Sequence, residues 1–321
     1  MKLRCAILDD YQGVALSSAD WSVIQDRVEP VVFRRHFESE EELAERLQGY
    51  PIVVIMRERT PFPASLFARL PALRLLVTTG MRNASVDTAA AAAHGVVVSG
   101  TGSSGAGTAE LTWALILGLS RSLVLENQAL RLNGSWQSTV GADLHGKRLG
   151  LLGLGRIGSQ VAKVGQAFGM EVSAWSQNLT RERAEEVGVR YAAKEELLAE
   201  SDYVSIHLVL SDRTRGLLGE RELSLLKPSA YLINTSRAPI VDQAALVDAL
   251  QRRAIAGAGL DVYDIEPLPR EHPYRYLPNV LATPHIGYVT QAAYRLFFED
   301  AVEDIAAYLN GVPVRVLNAV Q

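Results

Sequence analysis

The sequence has little cysteine and no long apolar run. Its 321 residues include one cysteine, Cys5, which excludes a disulfide framework and a zinc centre of cysteine ligands. We predict no metal site of any kind. Nowhere do 18 apolar residues run together, and the opening MKLRCAILDD has too short an apolar stretch and too early an acidic pair for a signal peptide. We therefore expect a cytoplasmic protein with no membrane partner.

A large excess of charge of one sign is also missing. The formal net charge of −4 and the pI near 5.9 give no electrostatic reason to expect a nucleic-acid partner. A hydrophobic content of 48% with 21% charged residues is ordinary for a globular chain that can bury a core. Because 321 residues is long for one domain, two domains are expected.

The most informative stretch is Arg148–Gly158, which reads RLGLLGLGRIG. An apolar run suited to a buried strand breaks into Gly153, Gly155 and Gly158, spaced as G-x-G-x-x-G, and a helical pattern follows. This context is typical of a turn that binds the pyrophosphate of a dinucleotide at a helix N-terminus. A purely structural turn is the less favoured alternative. Arg156 and Ile157 lie within the turn and are candidate cofactor-binding residues as well.

Short apolar runs alternate with amphipathic segments on both sides of this stretch, which predicts parallel sheets with helices on both faces. Predicted helices include Val14–Arg27, a long apolar helix at Thr108–Leu132 and a final helix at about Gln291–Leu309. The predicted strands are Leu3–Leu8, Pro30–Phe33, Ile52–Ile55, Leu73–Val77, Val96–Val98, Lys147–Leu152, Glu171–Trp175, Val189–Tyr191, Tyr203–Ile206, Tyr231–Asn234, Ala256–Val262 and Val280–Ala282.

A stretch of small residues, SGTGSSGAG at Ser99–Gly107, separates the two series of elements and indicates a hinge. Two α/β units joined in this way would leave a cleft, and clefts between domains are common binding sites. Chemistry is therefore expected where the strand ends of the second unit face the first.

Three polar residues follow predicted strands of the second unit: Arg237, Glu266 and His285. An arginine can pair with a substrate carboxylate and polarise its carbonyl, a histidine can supply a proton, and a carboxylate can hold that histidine in its charged form. Each residue alone could equally be a surface or packing residue. Their presence in three loops on one predicted sheet edge favours carbonyl reduction with a nicotinamide cofactor.

Four segments resemble the D-isomer-specific 2-hydroxyacid dehydrogenase family: Val140–Gly158, KPSAYLINTSRAPIVDQAAL, GLDVYDIEPLP and LPNVLATPHIG. The resemblance implies two doubly wound parallel-sheet domains. Residues 1–100 and 288–321 would form a flavodoxin-like substrate domain, and residues 101–287 a Rossmann domain that binds NAD(P). It also implies that the enzyme is an NAD(P)-dependent D-2-hydroxyacid dehydrogenase.

The resemblance also implies roles for individual residues. Arg237 would bind the substrate and polarise its carbonyl, His285 would be the general acid and base, and Glu266 would favour the imidazolium form of His285. Asp261 would face the nicotinamide carboxamide. A glutamate at 266, where formate dehydrogenases of this fold carry glutamine, favours keto-acid chemistry. His207 and Thr235, each just after a predicted strand, are further candidates for the nucleotide site.

The sequence departs from the family pattern where the adenosine ribose is expected. The strand EVSAW is followed by Ser176, Gln177 and Asn178 rather than the Asp or Glu that binds a 2′-hydroxyl. No carboxylate repels a 2′-phosphate there, and the nearest candidates to bind one, Arg181 and Arg183, could equally be solvated. NAD is slightly favoured as the cofactor, and NADP remains open.

A second departure lies in the substrate domain. The family's G-x-G loop, whose amides bind the substrate carboxylate, is replaced by TTGMRN, which keeps Gly80 but places Met81 and Arg82 after it. Arg57, in MRERT, also follows a predicted strand. Arg57 and Arg82 could favour a bulkier or more anionic 2-keto acid, or they could be surface charges paired with residues such as Glu58.

Two alternative functions remain open. Within the enzymes, the protein could be a hydroxypyruvate or glyoxylate reductase with a preference for NADPH. Outside them, it could be a non-catalytic, NAD-sensing protein similar to a corepressor. The helix at 108–132 is more apolar than one buried face requires. Because members of the family dimerise through this region, the resemblance implies a homodimer.

Overall fold

The computed structural model describes residues 2–103 and 105–318. The chain divides into two compact units, Met1–Ser104 with Thr290–Gln321, and Gly105–Val289. Ser104, inside the predicted hinge, lies outside the described residues.

In chain order the strands are β1 (Leu3–Ile7), β2 (Val28–Val32), β3 (Ile52–Ile55), β4 (Leu75–Thr78), β5 (Val97–Gly100), β6 (Arg148–Leu152), β7 (Glu171–Trp175), β8 (Arg190–Tyr191), β9 (Tyr203–Ile206), β10 (Tyr231–Asn234), β11 (Gly257–Leu260) and β12 (Val280–Ala282). The α-helices are α1 (Glu40–Arg46), α2 (Ala64–Arg69), α3 (Thr88–Ala93), α4 (Ala106–Ser120), α5 (Leu123–Arg131), α6 (Arg156–Ala167), α7 (Arg181–Val187), α8 (Lys194–Glu200), α9 (Glu220–Ser224), α10 (Gln243–Gln251) and α11 (Gln291–Leu309).

The first unit contains a parallel sheet in the order β2-β1-β3-β4-β5, which is the strand order of flavodoxin-like folds. Every residue of β3 and β4 is buried, as expected for apolar strands that are covered on both faces. Beneath them, Phe62, Leu66 and Phe67 are at most 1% exposed and form part of one continuous core.

The predicted helix Val14–Arg27 is wrong. The structure has two short 3₁₀ segments there, Ala15–Ser17 and Trp21–Ile24. The hydroxyls of Ser17 and Ser18 both donate to the Val14 carbonyl, and the Asp20 carboxylate caps the second segment. Serine and aspartate compete in this way with the hydrogen bonds of a continuous helix.

The second unit contains a seven-stranded parallel sheet in the order β12-β11-β10-β9-β6-β7-β8. The chain enters this sheet at β6, near its middle, and first builds outward through β7 and β8. It then returns to β9 on the other side of β6. The order therefore reverses between β6 and β9, which is where a doubly wound sheet binds its ligand.

The predicted helix Thr108–Leu132 is interrupted. It forms α4 and α5, bent by 64°, with Ser122 at the break in a left-handed conformation (φ 49°). Ser120 donates its hydroxyl to the Ile116 carbonyl (2.6 Å), which competes with the helical pattern. No single helix among the described residues is long and apolar enough to cross a membrane, although this bent pair meets the length and composition criteria together.

The apolar side chains of α4 are mostly buried within the second unit. Trp113, Leu115 and Ile116 are at most 6% exposed and belong to the core beside β6. The surplus of apolar surface predicted for this region therefore lies further along the chain. The exposed apolar side chains of α5 and the loop after it are Leu123, Val124, Leu125, Leu130, Leu132, Trp136 and Val140.

Candidate active site

The glycine turn between β6 and α6 has the geometry that its sequence predicts. Gly153 has φ +107°, and a Cβ added there would lie 2.6 Å from the His207 carbonyl oxygen. A Cβ on Gly158 would lie 2.1 Å from the Gly153 carbonyl oxygen, so the helix can pack closely only with glycine at this position. A Cβ on Gly155 would meet nothing within 4 Å. The backbone at Gly155 is thus open to a ligand, and the turn fits a pyrophosphate group.

The first two residues of α6 differ in their surroundings. Arg156 is exposed, and its guanidinium lies beside Gly105 (φ +71°), where an added Cβ would be 2.8 Å from Nη2. Ile157 instead packs against the core of the second unit. Arg156 can therefore offer a side chain to an anion, whereas Ile157 can offer only its backbone N–H.

The end of β7, where the ribose of the nucleotide is expected, carries no carboxylate. Ser176 is half-buried and Gln177 and Asn178 are exposed. The two nearby arginines have partners within α7 and β8: Arg181 lies over the Tyr191 ring at 5.1 Å, and Arg183 pairs with Glu186 at 2.8 Å. Nothing at this position selects between a 2′-hydroxyl and a 2′-phosphate.

His207 borders the glycine turn. Its ring Nε2 lies 2.9 Å from the Ser205 hydroxyl, and burial lowers the pKa of His207 to about 4. The ring is therefore neutral at physiological pH. Because the His207 carbonyl forms the wall behind Gly153, any substitution that moved this backbone would disturb the turn.

His285 and Glu266 form the closest polar pair at the candidate catalytic centre. The imidazole Nδ1 lies 2.6 Å from Glu266 Oε2, and the two side chains are only 14% and 22% exposed. The other carboxylate oxygen accepts the Tyr263 N–H at 2.9 Å, which fixes the carboxylate in place. Because Nδ1 is bound to Glu266, Nε2 is the ring nitrogen that can exchange a proton with a substrate.

Asp261 anchors the loop that carries His285. Its Oδ1 accepts the Thr283 hydroxyl (2.6 Å) and the Ile286 N–H (2.8 Å), and its Oδ2 accepts the Gly287 N–H (2.8 Å). Burial raises the pKa of Asp261, and these hydrogen bonds oppose that effect. The contacts of the carboxylate are thus to its own unit's backbone and to Thr283, while the role toward the carboxamide stays a prediction.

Arg237 and Thr235 follow β10 on the same edge of the sheet. Arg237 donates from Nη1 to the Ser236 carbonyl at 2.8 Å, and its own carbonyl accepts from the Asn234 side chain. Thr235 is buried and shares a 2.8 Å hydrogen bond with Thr112 of α4. Since β10, β11 and β12 are neighbouring parallel strands, Arg237, Glu266 and His285 follow adjacent strand ends.

In the first unit, Gly80 follows β4 in a left-handed conformation (φ +95°). Its own N–H donates to the Thr101 hydroxyl at 2.8 Å. Arg57 covers the glycine, because an added Cβ would lie 1.9 Å from the Arg57 Nη1. Met81 and Arg82 are exposed. Arg57 therefore places a positive charge beside Gly80, and the role of this loop in binding the substrate stays a prediction.

The contacts of Arg57 agree with both of its predicted roles, a positive charge at the substrate loop and an ion pair with Glu58. Its backbone N–H donates to the Thr79 hydroxyl (2.8 Å) and its Nη1 to the Thr79 carbonyl (3.3 Å), which places the guanidinium beside Gly80. Its Nε also lies 3.8 Å from Glu58 Oε2, a long ion pair. Pairing with Glu58 and a position at the loop are therefore compatible.

Comparison with known proteins decides the family. The family described as D-isomer specific 2-hydroxyacid dehydrogenase, NAD binding domain, matches residues 113–287. A glyoxylate reductase from Aeropyrum pernix is 40% identical over 263 residues, which are 79% of this chain and 78% of that protein. The chain belongs to the D-isomer-specific 2-hydroxyacid dehydrogenase family.

Two further relatives agree with this membership. A D-3-phosphoglycerate dehydrogenase from Bacillus subtilis is 36% identical over 264 residues, 81% of this chain but 50% of that protein's length. The crystal structure of a phosphoglycerate oxidoreductase from Vibrio cholerae O395 has a TM-score of 0.92 and 37% identity, covering 97% of this chain and 100% of its own. The predicted fold class and the prediction of an NAD(P)-dependent 2-hydroxyacid dehydrogenase are confirmed.

One neighbour of His285, Tyr288, has no role assigned from the sequence. Tyr288 packs edge-on against the His285 ring, with centroids 5.0 Å apart and an interplanar angle of 74°. Its proximity in sequence to His285 was visible, but the direction of its ring was not. The contact with Tyr288 restricts the rotation of the His285 imidazole, in addition to the hydrogen bond with Glu266.

Proposed function

We propose that the protein reduces a 2-keto acid to a D-2-hydroxy acid with His285 as the proton donor. The contact between His285 Nδ1 and Glu266 Oε2, at 2.6 Å, carries this proposal. The carboxylate stabilises the imidazolium and orients the ring, so that Nε2 is the acidic position. In the reverse reaction the same nitrogen accepts the proton of the hydroxyl.

The other residues bind the substrate and the cofactor and polarise the carbonyl group of the substrate. Arg237 pairs with the substrate carboxylate and draws electron density from the carbonyl. The glycine turn, with Gly153, Gly155 and Gly158, holds the dinucleotide, whose nicotinamide supplies the hydride. Asp261 keeps the His285 loop in position through its hydrogen bonds to Ile286 and Gly287.

Each domain has its own task in this proposal. Residues 1–100 with 288–321 form the substrate domain, and residues 101–287 form the nucleotide-binding domain. The position of Arg57 beside Gly80 supports a substrate that is bulkier or more anionic than the smallest keto acids, with Arg82 adding charge. Glyoxylate or hydroxypyruvate reduction with NADPH is the alternative, and the name of the Aeropyrum pernix relative, a glyoxylate reductase, supports glyoxylate as the substrate.

The choice of cofactor rests on the end of β7. The absence of an acidic residue at Ser176 admits NADP, while the partners of Arg181 and Arg183 leave no arginine aimed at a 2′-phosphate. We favour NAD by this small margin. The ratio of kcat/KM for NADH to that for NADPH measures the preference.

The enzyme is proposed to be a cytoplasmic homodimer. Its cysteine is free and buried, which suits a reducing compartment. The apolar side chains exposed on α5 and the following loop are the surface that a second copy would cover. A molar mass of one chain in light scattering at micromolar concentration would contradict the dimer.

The decisive experiment measures NADH and NADPH oxidation with glyoxylate, hydroxypyruvate, pyruvate and longer keto acids. We expect turnover with at least one of them, and His285→Ala should lower kcat about 10²- to 10⁴-fold while nucleotide still binds. Near-wild-type turnover in that variant would disprove the role of His285. Tight NADH binding with no turnover on any keto acid would favour the NAD-sensing alternative.

A further inference from the structure

A polar cluster that the reaction does not use lies at the carboxyl end of β1. In the sheet order β2-β1-β3-β4-β5, the order reverses between β1 and β3, and such switch points open a crevice at the strand ends. Asp9 sits there, 1% exposed and left-handed (φ 55°). Its carboxylate accepts the Thr60 hydroxyl at 2.5 Å and the Tyr11 hydroxyl at 3.2 Å. The loop after β1 that carries Asp9 and Tyr11 is therefore held in place by these hydrogen bonds.

Arg59 holds the ring of Tyr11 in place. The guanidinium donates to the Asp9 carbonyl at 2.8 Å and lies over the Tyr11 ring at 4.6 Å from its centre. Arg59 is 8% exposed, whereas Tyr11 is 41% exposed. One face of the ring is thus covered by a buried cation, and much of the remaining side chain meets solvent.

The Tyr11 loop is fixed at its other end as well. The hydroxyl of Tyr294, on α11, donates to Gln12 Oε1 at 3.2 Å. A loop held at Asp9 and at Gln12 loses little conformational entropy when a ligand contacts it. An exposed aromatic side chain that is held in this way has the character of a binding platform.

The platform lies on the same sheet edge as the substrate loop. β1, β3 and β4 are adjacent parallel strands, spaced about 4.8 Å apart, so the ends of β1 and β4 lie two strand spacings, or about 10 Å, apart along the edge. Tyr11 follows the first of these ends and Gly80 the second. The turn after β3 spans the interval: Arg57 covers Gly80, and Arg59 covers Tyr11. A keto acid whose carboxylate is held near Arg57 and Gly80 could reach the ring only with a long side chain.

We propose that Tyr11 is a specificity-determining residue that stacks against the side chain of an aromatic 2-keto acid. This inference rests on the proposed function, because it extends the same substrate site. An aromatic side chain spans the distance along the edge and packs on a tyrosine face whose other side carries a guanidinium. Glyoxylate and pyruvate are too short to touch it.

The test compares kcat/KM for phenylpyruvate and pyruvate in the full-length enzyme. The wild type should prefer phenylpyruvate, and Tyr11→Ala should lower kcat/KM for phenylpyruvate about tenfold, mainly through KM, with pyruvate changed less than twofold. Tyr11→Phe keeps the ring and loses the hydroxyl bond to Asp9, so it should stay within about threefold of the wild type on both substrates. Tyr276→Ala, which removes an exposed tyrosine of the other unit, is the matched control.

The outcomes separate this inference from the proposed function. If the wild type reduces keto acids but Tyr11→Ala lowers kcat/KM for both substrates equally, or for neither, the platform is disproved and the function stands. If Tyr11→Phe is as impaired as Tyr11→Ala, the hydroxyl and its bond to Asp9 matter rather than the ring, which also overturns the inference. No turnover of any keto acid by the wild type would overturn both.

Discussion

The His285 side chain is fixed before any substrate binds. Its backbone has φ 52°, a conformation that residues with a Cβ rarely adopt, and the surrounding loop holds it there. The N–H groups of Ile286 and Gly287 are bound to Asp261, and the ring is bound to Glu266. A proton donor that is already oriented needs little reorganisation in the transition state.

Replacing Glu266 by glutamine should slow the proposed reaction. The amide can still accept a hydrogen bond from Nδ1 but carries no charge, so it can orient the ring but cannot attract positive charge on it. Since His285 is the proposed proton donor, we expect kcat for keto-acid reduction to fall about tenfold or more. The measurement is kcat under saturating cofactor and substrate.

Glu271→Gln is the matched control for this change, since Glu271 is an exposed carboxylate in the same segment. Its kcat should match that of the wild type. A Glu266→Gln enzyme with the wild-type kcat would show that the hydrogen bond to the ring is sufficient and that the charge of Glu266 contributes nothing to the reaction.

Residue types at strand ends could be predicted, but their local partners could not. Arg237, Glu266 and His285 were identified as candidates because polar residues after buried strands collect at one sheet edge. The bond between the Gly80 N–H and Thr101 could not be foreseen, since it joins residues that follow different strands. Such bonds depend on the tertiary arrangement rather than on the local sequence.

At the scale of elements, alanine substitutions at two glycines of the turn between β6 and α6 should have different effects. Gly155→Ala adds a Cβ in open space, so the protein should fold normally and lose affinity only where phosphate approaches, with KM for NADH raised about tenfold or more. Gly158→Ala forces a Cβ to within 2.1 Å of a carbonyl oxygen and should lower the melting temperature itself. Thermal unfolding without nucleotide and steady-state kinetics measure the two effects.

Gly49→Ala is the control for a change from glycine to alanine away from the nucleotide, because the added Cβ has open space and the residue lies in the first unit. Its φ of +75° adds a backbone strain that Gly155 does not have. It should lower stability modestly and leave KM for NADH unchanged. A Gly155→Ala enzyme with wild-type KM for both nucleotides would remove Gly155 from the phosphate site.

Parallel strands were easier to predict than helices. The runs at β3, β7, β9 and β10 are largely apolar and buried, whereas the run at β12 is apolar but at most partly buried. The bounds of all five strands could be predicted from composition, and all five match. Two of the predicted helices contain serine or aspartate side chains that bond to nearby backbone, and both are interrupted. Periodicity indicates which residues face the core but does not show where such local bonds end a helix.

For the whole molecule, the alternation of strands and helices along the sequence was sufficient to predict the class of fold. It did not predict the order of the strands within each sheet. The sheet order is set by which non-local edges pair, and only the resemblance to a family suggested it. The return of α11 to the first unit was likewise suggested only by the resemblance to a family. It buries Asp304 (0% exposed) within that unit, among groups contributed by the chain's C-terminal stretch.

Asp304 and Arg315 link that stretch to α11. Arg315 donates from Nε to Asp304 Oδ1 at 3.0 Å, and its Nη1 pairs with Glu303 at 2.7 Å. The Arg315 carbonyl accepts the N–H of Gly100 at the end of β5. Asp304 Oδ2 has no hydrogen-bond partner among the described residues, and burial raises the pKa of Asp304 to about 7.

Protonation of Asp304 should make stability fall as pH rises. The folded state keeps this proton up to about pH 7, whereas the unfolded chain releases it near pH 4, so the native state loses stability across that interval. At about 1.4 kcal/mol per pH unit the loss is at most ~4 kcal/mol. Asp304→Asn removes the titration, so its melting temperature relative to the wild type should rise between pH 5 and pH 8. Glu303→Gln, which alters an exposed partner of Arg315, should show no such rise, and a constant difference for Asp304→Asn would contradict the titration.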